Sequence, residues 1–193
     1  MLRLTPVVKN ILIITVIVFI LQNVVGGFTD LISLWNPLTQ KFRPYQLFTY
    51  MFAHGGFFHI FFNMLVLAST APVLENFWGQ KRFLMFYLVT GIGAGVFHLL
   101  ISYFLFPTSY GLMLGASGAV YGVLMAFGMM FPNMEMRLLI PPVAIKAKYL
   151  VWVLGAITFL LGRGDVAHMA HLGGIIFAFI LLRIWRHKNG TYF

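Results

Sequence analysis

Six apolar runs dominate this chain, at residues 10–27, 57–77, 82–104, 117–131, 149–162 and 167–186. Most approach the roughly 20 residues that a helix needs to cross a hydrocarbon layer about 30 Å thick. Inside such a layer the backbone polar groups must be satisfied without water, so runs of this kind predict helices. Only 9% of the residues are charged and 61% are hydrophobic; a soluble domain carries about 25% charged residues. The 193 residues therefore predict a single all-α polytopic membrane domain, residues 1–193, with six transmembrane helices.

The segment between the first two runs, residues 28–56, is broken by Pro37 and Pro44 and is rich in aromatics (Phe28, Trp35, Phe42, Tyr45, Phe48, Phe52). Amphipathic rings prefer the headgroup level, so this segment reads as an outer interfacial loop with short helices rather than a seventh span. At the N-terminus, Arg3 and Lys9 precede the apolar stretch Ile11 to Val25, as in a signal peptide. No clear small-x-small cleavage site follows, so the stretch reads as a retained signal-anchor helix.

The basic residues set the direction. With the N-terminus in the cytoplasm, the inner side holds Arg3, Lys9, Lys81, Arg82, Arg137, Lys146, Lys148, Arg183, Arg186 and Lys188; the outer side holds Lys41, Arg43 and Arg163. Ten against three is a positive-inside bias that puts both termini in the cytoplasm. The formal net charge of +9 then belongs to anionic lipid headgroups, and no nucleic-acid partner is expected. There is no cysteine, which excludes disulfides and thiolate chemistry.

The fourth run is short. Fifteen residues, Ser117 to Phe131, span about 22 Å at 1.5 Å per residue, so its outer end should start several ångströms below the outer surface. The stretch Pro107-Thr108-Ser109-Tyr110-Gly111 would dip inward to meet it, which non-helical backbone tolerates only when buried in protein or lining water. The fifth run is short as well and precedes Gly162-Arg163-Gly164, so it reads as a tilted or mobile element.

With this orientation the second, fourth and sixth runs all pass from outside to inside. Their early residues, in one leaflet, include His59 and Asn63, then Ser117, then His168 and His171. Polar side chains at membrane depth are costly and point to function. His59 and Asn63, four apart, share a helix face; they either bond neighbouring backbone or donate to negative charge on a substrate oxygen. Gly115, Gly118 and Gly122 around Ser117 suit close helix packing, as do Gly173, Gly174 and Ala178 beside His171. Two small-faced helices would bring Ser117 to His171, where the imidazole accepts the hydroxyl proton and makes the serine a nucleophile.

Of the four acids, Glu75 and Glu135 lie toward the cytoplasmic side, Asp30 in the outer loop and Asp165 on the wrong helical face relative to His171. A Ser-His dyad is therefore expected rather than a triad. Tyr121, one turn below Ser117, is either a buried aromatic or a ring that orients the imidazole. His54 is expected to bond loop backbone, His168 to face the pocket mouth or a neighbour, and His98 to lie at the interface.

Gly115-Ala116-Ser117-Gly118 with Tyr121 resembles the Gly-x-Ser-Gly motif of rhomboid intramembrane serine proteases. Ala170-His171-Leu172-Gly173-Gly174 resembles that family's Ala-His-x-x-Gly, His59 to Asn63 its His-x-x-x-Asn, and Glu75 to Gly79 the end of the same helix. The resemblance implies a compact six-helix core with Ser117 as nucleophile and His171 as general base and acid. It implies an oxyanion site made by the Ser117 amide with His59 and Asn63; no metal or cofactor is expected. Substrates would be single-span transmembrane proteins cut near the outer end of their helices, with the fifth helix as a lateral gate. Tyr45-Gln46 stands where many bacterial members carry Trp-Arg, which would leave the outer loop pinned by aromatics and Arg43. The form is the minimal core, which points to a prokaryotic plasma membrane.

Other readings are a catalytically inactive relative that binds transmembrane clients, and a metal or haem protein using His54, His59, His168 and His171. The first should lack Ser117 or His171, and both are present. The second finds no carboxylate or cysteine in the cluster. A transporter would show internal repeats, and none is found.

Overall fold

A computed structural model describes residues 3–105, 112–137, 142–161 and 165–189. Eight α-helices follow one another among these residues: α1 Pro6–Val24, α2 Phe28–Ile32, α3 Gln46–Thr49, α4 Phe57–Trp78, α5 Gln80–Leu105, α6 Ser117–Met130, α7 Ala147–Leu161 and α8 Asp165–Asn189. Each of the six apolar runs coincides with a helix, and α2 and α3 fall in the aromatic loop. Four helices, α1, α4, α5 and α8, are long and apolar enough to cross a membrane; α6 and α7 are shorter apolar helices. The expected inward dip at 107–111 and the glycines at 162 and 164 lie outside the described residues.

One element departs from the all-α expectation. Glu135–Arg137 (β1) pairs antiparallel with Ala144–Lys146 (β2), in the register Glu135↔Lys146, between α6 and α7. Met136 and Ile145 pack toward the core while their charged neighbours face out, a period-two pattern too short to stand out in a linker.

Helix α6 is the central post. It touches α4, α5, α7 and α8, and its residues from Gly118 to Leu124 are all buried. Helix α1 is peripheral, burying only Val8, Ile11 and Thr15. Its other flank, with Ile13, Ile17 and Ile20, is exposed, as are Phe58 and Phe62 of α4 and Trp152 and Phe159 of α7. An exposed apolar belt of this extent needs a hydrocarbon solvent.

Helix α1 begins at Pro6, four residues before the apolar run, because α4 caps it. Proline suits the first helical position, where an N–H has no partner. The next two donors, the N–H groups of Val7 and Val8, both bond the Glu75 carboxylate at 2.9 Å, and the Thr5 hydroxyl donates to it at 2.5 Å. Glu75 is 2% exposed; its charge is matched by three donors and the positive end of the helix dipole. Glu75→Gln replaces one acceptor oxygen with a donor facing donors. It is expected to cost about 2–3 kcal/mol, read as a lowered unfolding midpoint in detergent, without altering the polar cluster at the other end of α4. Between α4 and α5 the chain reverses at Gly79, whose φ of +78° is a conformation that favours glycine.

The outer loop is held by a residue whose role the sequence reading missed. Gln46 is 1% exposed, and its side-chain oxygen accepts from the Trp35 and Arg43 N–H groups while its NH2 donates to the Leu31 and Lys41 carbonyls. Arg43 contributes through the Gln40 and Phe42 carbonyls, as expected, and Lys41 sits 4.3 Å over the Trp35 ring. The loop is thus pinned from inside by an amide as well as by aromatics and Arg43.

Candidate active site

The serine is positioned by backbone pairing between distant loops. Leu34 forms an isolated antiparallel bridge with Met113, and the Gly115 N–H donates to the Tyr50 carbonyl at 2.9 Å. Gly115 then turns with φ +127°, and Ser117 opens α6 as its first residue. A first-turn N–H has no intrahelical acceptor, so the Ser117 amide is left as a donor at the positive end of the helix.

Histidine 171 comes to this point from α8. Its Nε2 lies 2.9 Å from Ser117 Oγ, across 54 residues of sequence. The Tyr121 ring stacks on the imidazole, centroids 4.3 Å apart and planes 17° from parallel. Tyr121 is fixed in turn by a 2.8 Å hydrogen bond between its hydroxyl and that of Thr158 on α7. Tyr121 is itself buried, 5% exposed, so its place fits both the buried aromatic and the ring lying against the imidazole.

Small residues make this approach possible. A Cβ on Gly174 would fall on the Gly118 carbonyl, so α8 lies directly against the α6 backbone. A Cβ on Gly118 would sit 2.6 Å from Ala94, and one on Gly173 would sit 3.1 Å from the Ala94 backbone, which wedges α5 into the same contact. Gly122 belongs to a different interface from the one expected: its open face meets Thr90 of α5. Ala178 is fully buried further along α8.

His59 stands over the serine loop. The point that a Gly115 Cβ would occupy is 2.9 Å from His59 Nε2 and 3.7 Å from Ser117 Oγ, so the glycine keeps open a space that both side chains border. The Gly55 N–H donates to His59 Nδ1 at 3.3 Å, which leaves the proton on Nε2, facing that space. Asn63, one turn along and 7% exposed, donates through Nδ2 to the His59 carbonyl at 2.8 Å. One of its two amide hydrogens thus bonds neighbouring backbone, as the structural reading of this residue had it.

The remaining histidines separate. His54 is 2% exposed and bonds loop backbone, as expected: Nδ1 lies 3.3 Å from the Phe52 carbonyl and Nε2 3.4 Å from the Ala116 N–H. Burial and the His59 ring beside it hold its pKa down at about 4, so it is neutral near pH 7. His168 packs on Phe159 of α7, centroids 5.0 Å apart. His98, near the end of α5, is buried within the protein, 3% exposed. Among the described residues no carboxylate bonds His171, and no group of three or more His, Cys, Asp or Glu is placed to hold a metal ion. The arrangement can deprotonate a serine hydroxyl and offer donors to an adjacent oxyanion.

Residues 41–188 match the Rhomboid domain model. The chain is 32% identical over 152 residues to the human presenilin-associated rhomboid-like protein, mitochondrial, covering 72% of this chain and 38% of that one. It is 33% identical over 149 residues to RHOMBOID-like protein 1 of Arabidopsis thaliana, covering 76% and 36%. With rhomboid protease GluP of Bacillus subtilis it shares 28% identity over 171 residues, 85% and 32% of the two chains. The chain thus spans well under half the length of the relatives it matches. With mitochondrial proteins prominent among them, they do not support the expected prokaryotic plasma membrane. A domain match covering most of the chain, on a membrane protein with several apolar helices, makes this protein a member of the rhomboid family.

Proposed function

We propose that the protein is an intramembrane serine endopeptidase acting through a Ser117–His171 dyad. The observation that carries this reading is the 2.9 Å contact between His171 Nε2 and Ser117 Oγ, in a family that includes a named protease. Neutral His171 takes the hydroxyl proton as Oγ attacks the scissile carbonyl carbon. The carbonyl oxygen becomes an oxyanion facing the Ser117 N–H, the His59 Nε2–H and the second amide hydrogen of Asn63. As the tetrahedral intermediate collapses, the imidazolium gives its proton to the leaving amine, and an acyl ester remains on Ser117. A water molecule, deprotonated by His171, then hydrolyses the ester. With no carboxylate bonded to His171 among the described residues, the Tyr121 ring is what keeps the imidazole in plane.

The substrates in this reading are single-span transmembrane proteins cut near the outer ends of their helices. Helices α1, α4, α5, α6, α7 and α8 would all cross the bilayer with both termini in the cytoplasm. Helix α6, 14 residues, spans about 21 Å, which sets Ser117 below the outer surface of a core roughly 30 Å thick. The inactive client-binding alternative leaves the paired serine and histidine without a purpose.

The test is cleavage of a model single-span substrate by purified protein in lipid. Cutting at one site by the wild type and none by Ser117→Ala is expected; unchanged cutting by Ser117→Ala would sink the reading. For the oxyanion role, Asn63→Ala should lower kcat about 10²-fold with little change in KM. A raised KM at constant kcat would make Asn63 a binding residue instead.

A further inference from the structure

Two polar residues outside the dyad and the oxyanion group form a continuous link from α1 to the serine loop. Gln22, near the end of α1, accepts the His54 N–H at 2.9 Å and donates to the His54 carbonyl at 3.3 Å, so one amide clamps both backbone groups of one residue. Its NH2 also reaches the Thr29 hydroxyl at 3.2 Å, which ties the clamp to α2. The His54 ring then spans two backbone groups. A carbonyl only accepts, so the contact with Phe52 O requires the proton on Nδ1. That leaves the Nε2 lone pair to accept the Ala116 N–H, from the residue immediately before Ser117.

We propose that His54 is a positioning residue for the nucleophile: its neutral Nδ1–H tautomer anchors Ala116 and fixes the peptide that carries the Ser117 N–H, with Gln22 holding His54 in place. The Ala116 donor is thereby occupied, and the next donor, on Ser117, is the one presented to an oxyanion. The Ala116 carbonyl accepts from Val120 at 3.0 Å, so this residue is held on both its polar groups. The titratable group facing the His54 ring is His59 of α4, whose ring centroid lies 5.0 Å away. A proton on His54 Nε2 would replace an acceptor with a donor facing the Ala116 N–H. The low pKa from burial agrees with a ring kept neutral.

The kinetic consequence rests on the protease reading, whereas the anchoring of Ala116 does not. Both are measured on the full chain in lipid, by amide hydrogen exchange at Ala116 and by kcat and KM on a single-span substrate. His54→Phe keeps a ring but no acceptor. It is expected to speed exchange at Ala116 and to lower kcat about 10- to 100-fold with KM within about twofold, as expected for a misplaced reacting group. His54→Gln, whose side-chain oxygen can take the place of Nε2, should restore slow exchange and most of the turnover.

Wild-type exchange and turnover in His54→Phe overturns the inference, and so does a His54→Gln variant as impaired as His54→Phe. If His54→Phe does not fold, Gln22→Leu takes its place: faster exchange at Ala116 supports the link, and wild-type values contradict it. A wild type that never cleaves refutes the protease reading, while exchange at Ala116 still decides the role of His54.

Discussion

His171→Ala is expected to abolish proteolysis, lowering kcat by at least about 10⁴-fold, while the protein remains folded. A serine hydroxyl is a weak nucleophile until a base takes its proton, and the one base at hydrogen-bonding distance from Ser117 Oγ among the described residues is His171. Where nucleophile and base act as one unit, removing either costs about as much as removing both. Ser117→Ala, His171→Ala and the double variant should therefore share one residual rate. The structural cost is small, because the imidazole is only partly buried and its principal packing partner is the Tyr121 ring. Such a stack is worth about 1 kcal/mol. Single-turnover cleavage in proteoliposomes, beside an unfolding curve for each variant, makes the check. A His171→Ala enzyme within tenfold of the wild type would require another base.

Gly174→Val should be as damaging by a different route. The added Cβ lands on the Gly118 carbonyl, which is helix backbone and cannot swing aside as the end of a side chain would. Helix α8 must then move off α6, and it carries His171 with it. Displacing a reacting group by 1 Å can cost about 10²-fold in rate, and overpacking of this kind costs about 1–3 kcal/mol or more in stability. Loss of cleavage and a lowered unfolding midpoint should appear together, in contrast to His171→Ala. Gly155→Ala is the control, since its nearest outside atom, on Tyr121, would be 3.9 Å away. Equal tolerance of the two substitutions would refute the close contact between α6 and α8.

These effects also indicate what could be read without coordinates. The six apolar runs were legible because a bilayer demands length and hydrocarbon, and the helices coincide with them to within a few residues. The meeting of Ser117 with His171 was foreshadowed by glycines beside both, as close packing and hydrogen bonding need the same small surface. Other features had no local signal. Glu75 looks like one more charge at a helix end until α1 lies across it with three donors. Gln46 and Gln22 act through hydrogen bonds to residues up to 32 positions away, and no periodicity reports such pairings. Spacing alone groups Gly122 with the small residues around Ser117, yet spacing does not say which neighbour a helix face meets, and this one meets Thr90. The one warning for Gln22 was its polarity near the end of an apolar run, which is costly in a membrane unless it has partners.

The most direct test of the account is covalent labelling of the wild-type protein in lipid by a fluorophosphonate probe, with the modified residue identified by mass spectrometry. A single adduct on Ser117, absent from His171→Ala, is the predicted result. A folded protein that carries no adduct on Ser117, or one whose Ser117 is labelled equally without His171, would contradict it.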